Sequence, residues 1–446
     1  MPQTRSKEPT RFLLVSFHFL LLLSCSVQKK ISKHEYDDLL NTPSLQSAHI
    51  GISVLDATTN QTITNYQSNK YFTPASNTKL FSLYAGLTYL RDSLPGIRYL
   101  ENDTALFLIP TGDPSLLHPD YQKQPVVDFL KSKKKNIYIT DINWKDEAWG
   151  TGWSWDDYNE DYMVERSSLP VYGNIIKWAQ TQMSDGSFSS FSTPDINWKV
   201  NFNNDTALKQ FFVKRNFSEN IFEITQGNEK FKEQDVPFIT NGITSAMELL
   251  KDTIGKNIFI THEPLTTYHL PLNLIYSRPL DSLFRPMMWR SDNFFAEQTL
   301  MMVSNEKLGS MNDKKIIDTL LKTDLKDLPQ KPDWADGSGL SRYNLFTPQD
   351  FVWLLNKMQN QFGIDRIKNI LPTGGQGSLS NRYKADSSFI FAKTGSLSGV
   401  AALSGYIITQ KKHLLVFSVL VNNYNGSGAQ IRDAIEKFVT GLRRKY

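Results

Sequence analysis

Apolar and polar residues alternate over 48–56 and again over 59–66, on either side of Ala57-Thr58. Strict alternation gives a strand one apolar face, so the pair predicts a β-hairpin. The period then changes. Leu80, Leu83, Tyr84, Leu87 and Leu90 recur at three- and four-residue steps, which is one face of a helix over 76–90 starting at a serine. Near the other end, 400–409 and 413–421 predict two strands paired across Gln410-Lys411-Lys412. Ile431, Ala434, Ile435, Phe438 and Leu442 predict a helix over 429–442. Strands with helices beside them at both ends predict one α/β (α+β) domain whose halves lie far apart in sequence. Between them, short strand-like runs at 105–109, 136–142, 221–225 and 257–260 are separated by polar turns. They predict an insertion, residues 94–270, carrying one or two small β-rich subdomains, with the main domain made of 45–93 and 271–446.

The first 25 residues follow a different pattern. Arg5, Lys7 and Arg11 precede an apolar run over 12–23. Twelve helical residues reach about 18 Å, short of the roughly 30 Å hydrocarbon core of a bilayer. A basic flank followed by a short apolar stretch is a secretory signal. It ends Leu22-Leu23-Ser24-Cys25, which resembles the lipobox of bacterial lipoproteins, whose cysteine is acylated and becomes the mature N-terminus. The alternative is an ordinary signal peptide with an incidental cysteine. The lipoprotein reading implies lipidation at Cys25, with 26–44 as a tether to an exported, membrane-anchored protein facing the periplasm or cell envelope.

Composition removes several function classes. Over 446 residues, 49 Lys and Arg against 45 Asp and Glu leave a net charge of +4, too balanced for a protein built around nucleic-acid phosphates. With 40% hydrophobic and 12% aromatic residues, the chain can bury a sizeable core and is not disordered. Cys25 is the one cysteine, which excludes a disulfide framework and a cysteine-rich metal site. The seven histidines include no H-E-x-x-H, so no metal and no cofactor are expected.

Three short motifs carry candidate chemistry. Ser76-Asn77-Thr78-Lys79 is an S-x-x-K at the start of the expected helix. Three helical steps turn about 300°, leaving Ser76 and Lys79 neighbours on one face. A lysine amine there can take the serine proton once it is neutral, a state that burial, a nearby cation and the helix N-terminus all favour. S-x-x-K also occurs at Ser26, Ser132 and Ser304, but only Ser76 has a helix start with an apolar face behind it. Ser291-Asp292-Asn293 is an S-x-N, readable as a proton relay with an amide-binding side chain or as a helix cap followed by a turn. Lys393-Thr394-Gly395 occurs once, entering the 400–409 strand region, where Lys and Thr can bind a carboxylate and Gly permits close backbone approach.

In that order the three are the signature of penicillin-binding proteins and class A β-lactamases. The 215 residues between Ser76 and Ser291 exceed what a compact β-lactamase needs. A large insertion at this point resembles the D-alanyl-D-alanine carboxypeptidase/endopeptidase family, the class C low-molecular-mass penicillin-binding proteins. Other family signatures follow in order: Gly112-Asp113-Pro114-Ser115-Leu116, Trp153-Ser154-Trp155-Asp156-Asp157-Tyr158, the D-G-S-G-L-S-R run from Asp336 to Arg342, Leu371-Pro372, and K-T-G-S-L-S-G-V from Lys393. The stretch from the Ser76 helix to the G-D-P-S-L element is shorter than expected for the family.

The resemblance implies a penicillin-binding-protein/serine β-lactamase-like transpeptidase fold and a serine D-Ala-D-Ala carboxypeptidase or endopeptidase acting on peptidoglycan stem peptides. It implies Ser76 as nucleophile, Lys79 as general base and Ser291 as proton relay. Asn293 would contact a substrate amide, Lys393 and Thr394 the terminal carboxylate, with Gly395 beside them. The backbone N–H groups of Ser76 and Ser396 would form the oxyanion hole. β-Lactam antibiotics would acylate the same serine. Two other classes stand against it: a β-lactamase, which needs a deacylating group that the sequence does not show, and a lipid-anchored peptidoglycan-binding scaffold, which has no need of the Lys79 amine. Asp336 and Arg342 read either as site-shaping residues or as a turn with a surface arginine. Trp153, Trp155 and Tyr158 read either as a subdomain core or as a surface contacting glycan or peptide.

Overall fold

The computed structural model describes residues 38–203, 209–262 and 271–446. Cys25, the signal segment and the first part of the expected tether lie outside them. Five antiparallel strands form the central sheet: β1 (His49–Asp56), β2 (Gln61–Tyr66), β3 (Ile390–Leu397), β4 (Val400–Ile408) and β5 (Leu414–Asn422). Their order is β3-β4-β5-β1-β2, so the chain's two ends meet where β5 pairs with β1, His49 opposite Asn422 and Asp56 opposite Leu415. The expected hairpins are both present. β2 begins at Gln61, two residues later than alternation suggested, because a turn occupies 57–60.

Alternation along these strands divides the sheet into two buried faces. Ile50, Ile52, Val54, Leu403, Phe417, Val419 and Val421 point to one side, against Ile431, Ile435, Phe438 and Leu442 of the C-terminal helix (Gly428–Lys445). Ala402, Tyr406, Val416 and Leu420 point to the other, into a larger helical core. That core is built from α1 (Lys79–Tyr89), α2 (Asn293–Leu308) and α3 (Pro348–Phe362), with Leu80, Leu83, Phe284, Phe295, Leu300 and Phe351 all fully buried. The result is a three-layer helix–sheet–helix body. The last residues of the expected tether belong to this body: Leu39 is buried against the C-terminal helix together with Leu45, the first residue of the expected main domain, and Asp38 pairs with Lys437 at 2.6 Å. Two leucines six residues apart give that segment apolar surface to bury, which a free tether lacks.

The insertion carries one five-stranded sheet and two three-stranded sheets among the described residues. Its boundary needs correcting. Asn273–Pro279 pairs antiparallel with Ser93–Glu101, so the insertion's sheet is closed by a strand beyond residue 270. Composition could not place that edge, because the returning strand is half-exposed and polar on one face. Ile97, Leu106, Ile137, Trp178, Phe222, Ile224, Val236 and Leu249 come from all three sheets and the helix Thr244–Ile254, and they share one hydrophobic core.

The placement of the Ser76–Lys79 and Ser291–Asn293 motifs depends on α1 packing on α2. Leu83→Ala removes a fully buried side chain at the centre of that layer. It is expected to cost about 2–5 kcal/mol through lost transfer energy and the cavity left behind, read as a lower urea midpoint with an unchanged m-value.

Candidate active site

The segment entering α1 is pinned on two sides. The Thr73 backbone N–H donates to Asn422 Oδ1 at 2.7 Å, and Asn422 Nδ2 donates to the Thr73 carbonyl at 3.0 Å. Asn77 Nδ2 donates to Ser404 Oγ at 2.8 Å, and Ser404 in turn to Ser418, a buried polar chain running from the helix start across β4 and β5. Residues 75–78 form a 3₁₀ turn and the α-helix begins at Lys79, not at Ser76 as the periodicity suggested. Ala75 has φ +48°, a left-handed conformation that costs a non-glycine residue on the order of 1 kcal/mol or more. This turns Ser76 out to a partly exposed position above the buried helix.

Lys79 is fully buried, and its Nζ has three oxygen neighbours: Ser76 Oγ at 3.0 Å, Asn293 Oδ1 at 2.6 Å and the Ser338 carbonyl at 2.7 Å. A neutral amine has two N–H donors and one lone pair. Asn293 Oδ1 and the Ser338 carbonyl can only accept, so they take the two N–H groups, and the lone pair is left for the Ser76 hydroxyl. Burial lowers the Lys79 pKa to about 8, against the opposing pull of Asp336, Glu297 and Asp292. At pH 7 about one such lysine in ten is neutral, against roughly one in 3,000 at the ordinary value.

Ser291 stands opposite, at φ +63°, and Asp292, not Ser291, caps α2 by accepting from the Phe295 N–H at 2.9 Å. The reading of Ser291 as helix cap and Asn293 as turn therefore fails: Asp292 is the cap and Asn293 the first residue of the helix. Lys393 is fully buried in β3; its Nζ donates to Ser291 Oγ at 2.8 Å and to the Thr394 carbonyl at 2.8 Å. Burial, reinforced by the Lys79 charge, holds the Lys393 ammonium well below its ordinary range. Asn293 is shared between neighbours: Oδ1 accepts from Lys79, and Nδ2 donates to the Tyr162 carbonyl at 2.9 Å. Thr394 and Ser396 lie on the same strand, partly exposed and exposed. A Cβ on Gly395 would sit 2.5 Å from the Pro74 carbonyl oxygen. The close approach that this glycine permits is thus to the segment that carries Ser76. A cleft of about 610 Å³ opens against Ser291 and Asn293, lined further by His118, Asp120, Tyr162, Lys177 and Arg290.

Behind Lys79 lies the D-G-S-G-L-S run, and here both readings of Asp336 meet. Its buried carboxylate builds a turn by accepting from the Gly339 N–H at 2.7 Å and the Ser341 N–H at 2.6 Å, and that turn presents the Ser338 carbonyl to Lys79. Gly339, at φ +84°, lets the turn touch the Ala75 carbonyl, where a Cβ would be 1.9 Å away. Arg342 is not a free surface residue: Nη2 donates to the Ser398 carbonyl at 2.9 Å, tying the turn to the end of β3. The tryptophans divide. Trp153 Nε1 donates to Asp336 at 3.0 Å, whereas Trp155 is 72% exposed and packs edge-on to Phe217, so the core reading fails for Trp155. Ser338, Glu297 and Arg166 adjoin the site without having been singled out in the sequence. A carbonyl contact leaves no mark in residue type, but Glu297, the one charged residue in the buried run 294–305 of α2, was a detectable signal. Among the described residues, no group of three His, Cys, Asp or Glu side chains is placed to hold a metal ion.

Gly395→Ala tests the packing of β3 on the nucleophile segment. A carbonyl held by its own helix turn cannot retreat, so acylation of Ser76 is expected to slow by roughly tenfold or more while far-UV circular dichroism is unchanged. A wild-type acylation rate would remove the close-approach argument.

Comparison with known proteins identifies the family and the fold. The model of the D-Ala-D-Ala carboxypeptidase 3 (S13) family matches residues 32–442. The D-alanyl-D-alanine carboxypeptidase of Actinomadura sp. (strain R39) is 24% identical over 90% of this chain and 83% of its own length. The D-alanyl-D-alanine carboxypeptidase DacB of Haemophilus influenzae is 22% identical over 91% of this chain and 92% of its own. The crystal structure of penicillin-binding protein 4 (dacB) from H. influenzae superposes with a TM-score of 0.71 at 19% identity, covering 92% of this chain and 98% of that one. It has the same fold, a penicillin-binding-protein type of body with added β-sheets. With the family model spanning nearly the whole described chain, this protein belongs to the D-Ala-D-Ala carboxypeptidase 3 (S13) family.

Proposed function

We propose that this member of the family cleaves the bond between two D-alanines, or its cross-link equivalent, in peptidoglycan stem peptides at the cell envelope. The observation that carries the reading is the buried Lys79 amine, whose two acceptors leave its lone pair facing Ser76. Ser76 Oγ attacks the carbonyl carbon as Lys79 takes its proton, and the backbone N–H groups of Ser76 and Ser396 receive the developing negative charge. Ser291 Oγ already accepts from Lys393, so its own hydrogen is free to pass to the leaving amine as the C–N bond breaks, and the Lys79 ammonium replaces that hydrogen and becomes neutral again. Water then attacks the ester; Lys79 accepts its proton and gives one back to Ser76 Oγ as the C–O bond breaks, and the shortened peptide leaves as its acid.

Lys393 and Thr394 receive the terminal carboxylate. A substrate anion arriving there restores the Lys393 charge that burial disfavours, so proton uptake accompanies binding. For Asn293 to bind a substrate amide through Nδ2, the substrate must replace the Tyr162 carbonyl. The H. influenzae protein has been crystallised in complex with a β-lactam. In this chain, ring opening by Ser76 would leave the leaving group tethered and the ester long-lived. The protein is anchored to the membrane by acylation of Cys25, the residue that would become the mature N-terminus after cleavage at the lipobox-like Leu22-Leu23-Ser24-Cys25.

Mass spectrometry of the protein lacking residues 1–25, incubated with benzylpenicillin and with a D-Ala-D-Ala muropeptide, is expected to show a stable adduct on Ser76 and release of one D-alanine. Ser76→Ala abolishes both. Fast turnover of the antibiotic would instead identify a β-lactamase, and no adduct in folded protein a scaffold. The acylation rate should rise with pH through about 8, since the base is the deprotonated amine; a flat profile from pH 6 to 9 would exclude Lys79 as the base. In cells, Cys25→Ser should move the protein out of the membrane fraction and abolish fatty-acid labelling.

A further inference from the structure

Glu297 is fully buried on α2, one turn beyond Asn293. Its Oε1 accepts from the Ser338 N–H at 2.7 Å, while the carbonyl of the same residue accepts from Lys79 at 2.7 Å. One residue is therefore held from both sides, by a carboxylate at its nitrogen and the catalytic amine at its oxygen. The second oxygen, Oε2, has no hydrogen-bond partner among the described residues and faces Arg166 Nη1 at 3.6 Å. Arg166 comes from the insertion, is also buried, and is already engaged: it donates to Asp313 at 2.5 Å, to Asp146 at 3.3 Å and to the Glu147 and Trp149 carbonyls. A carboxylate so placed is neither a surface ion pair nor a fully satisfied core pair.

We propose that Glu297 is a positioning residue for the serine–lysine pair: through the Ser338 peptide it aims a carbonyl at the Lys79 amine, and through its own charge, balanced by Arg166, it biases that amine between its charged and neutral forms. This rests on Lys79 being the base for Ser76. The charged groups acting on Lys79 are Asp336, Glu297 and Asp292, which favour its ammonium form, and Lys393, with which it repels. Those acting on Glu297 are Asp336 and Asp313, which favour its neutral form, and Arg166, which opposes them. Burial first and Asp336 second push the Glu297 pKa up to about 7. Below that value Glu297 is neutral and Lys79 gives up its proton more readily. Above it, the carboxylate holds the proton on Lys79. The two groups thus work against each other, and the insertion reaches the base through Arg166.

Two substitutions separate the two contributions. Glu297→Gln keeps an oxygen for the Ser338 N–H and removes the charge. The acid limb of the acylation pH profile should move to lower pH by roughly half a unit or more, with the plateau rate within about threefold of wild type. Glu297→Asp keeps the charge but is too short to reach the Ser338 N–H. The limb should stay in place while the plateau falls roughly tenfold or more. A residue that only fills the core would lower the melting temperature in both variants without moving the limb. Folded Gln variant with an unmoved limb, or folded Asp variant with a wild-type plateau, overturns the proposal, and either one decides if the other does not fold. Ser76→Ala run in parallel distinguishes this from failure of the serine–lysine reading, because penicillin labelling that survives in it would refute that reading first.

Discussion

An amine can be kept in a protein interior only if every direction in which it needs a partner is supplied. Lys79 Nζ is out of reach of solvent, so Ser76, Asn293 and Ser338 must stand in for water. Leaving any of these partners out would strand a buried polar group at a cost of about 1–3 kcal/mol. The three come from the start of α1, the start of α2 and the 336–341 turn. Satisfying one amine therefore fixes the relative placement of three separate segments, and the remaining features serve that placement. Asn422 and Ser404 hold the first segment to the sheet, Asp292 caps the second, and Asp336 folds the third.

The second lysine shows why the site stays poised. Lys393 reaches Ser291 from β3, and its amine and that of Lys79 disfavour each other's charge. Two buried amines close together cannot both be ammonium ions cheaply, so at least one is available as a base before substrate arrives. Backbone strain adds to this. Both Ser76 and Ser291 are presented by left-handed non-glycine residues, Ala75 before the first and Ser291 itself. Such conformations persist only where surrounding packing over-determines them, and here Gly339 and Gly395 allow the turn and the strand to close directly on the Ala75 region. The insertion is part of this enclosure, since Trp153 bonds Asp336 and Arg166 faces Glu297 from behind.

Much of the main body was legible because its elements bury one face each. The alternation of Ile50, Ile52 and Val54 and the helical spacing of Leu80, Leu83 and Leu87 report directly on which side meets a core. In the insertion the same patterning found the strands Ala105–Pro110, Asn136–Ile139, Phe222–Thr225 and Ile258–Ile260 and missed others. Phe188–Thr193 and Val200–Asn203 are short strands with no buried residue, so their sequences carry little apolar signal. The closing strand Asn273–Pro279 was missed for the same reason, and the docked Leu39 because a single buried leucine makes no periodicity.

The order of motifs and the residue types in them were set by the sequence alone: a serine three residues before a lysine at a helix start, a serine two before an asparagine, and a lysine–threonine–glycine run entering strands. Those constraints are local, because they depend on spacing along one element. Whether Lys79 is neutral, whether Ser291 keeps its own hydrogen and whether Glu297 touches the machinery depend on burial and on partners 41 to 259 residues away in the chain. Only tertiary structure decides these, because desolvation and hydrogen-bond partnership are properties of what surrounds a side chain and not of the side chain itself.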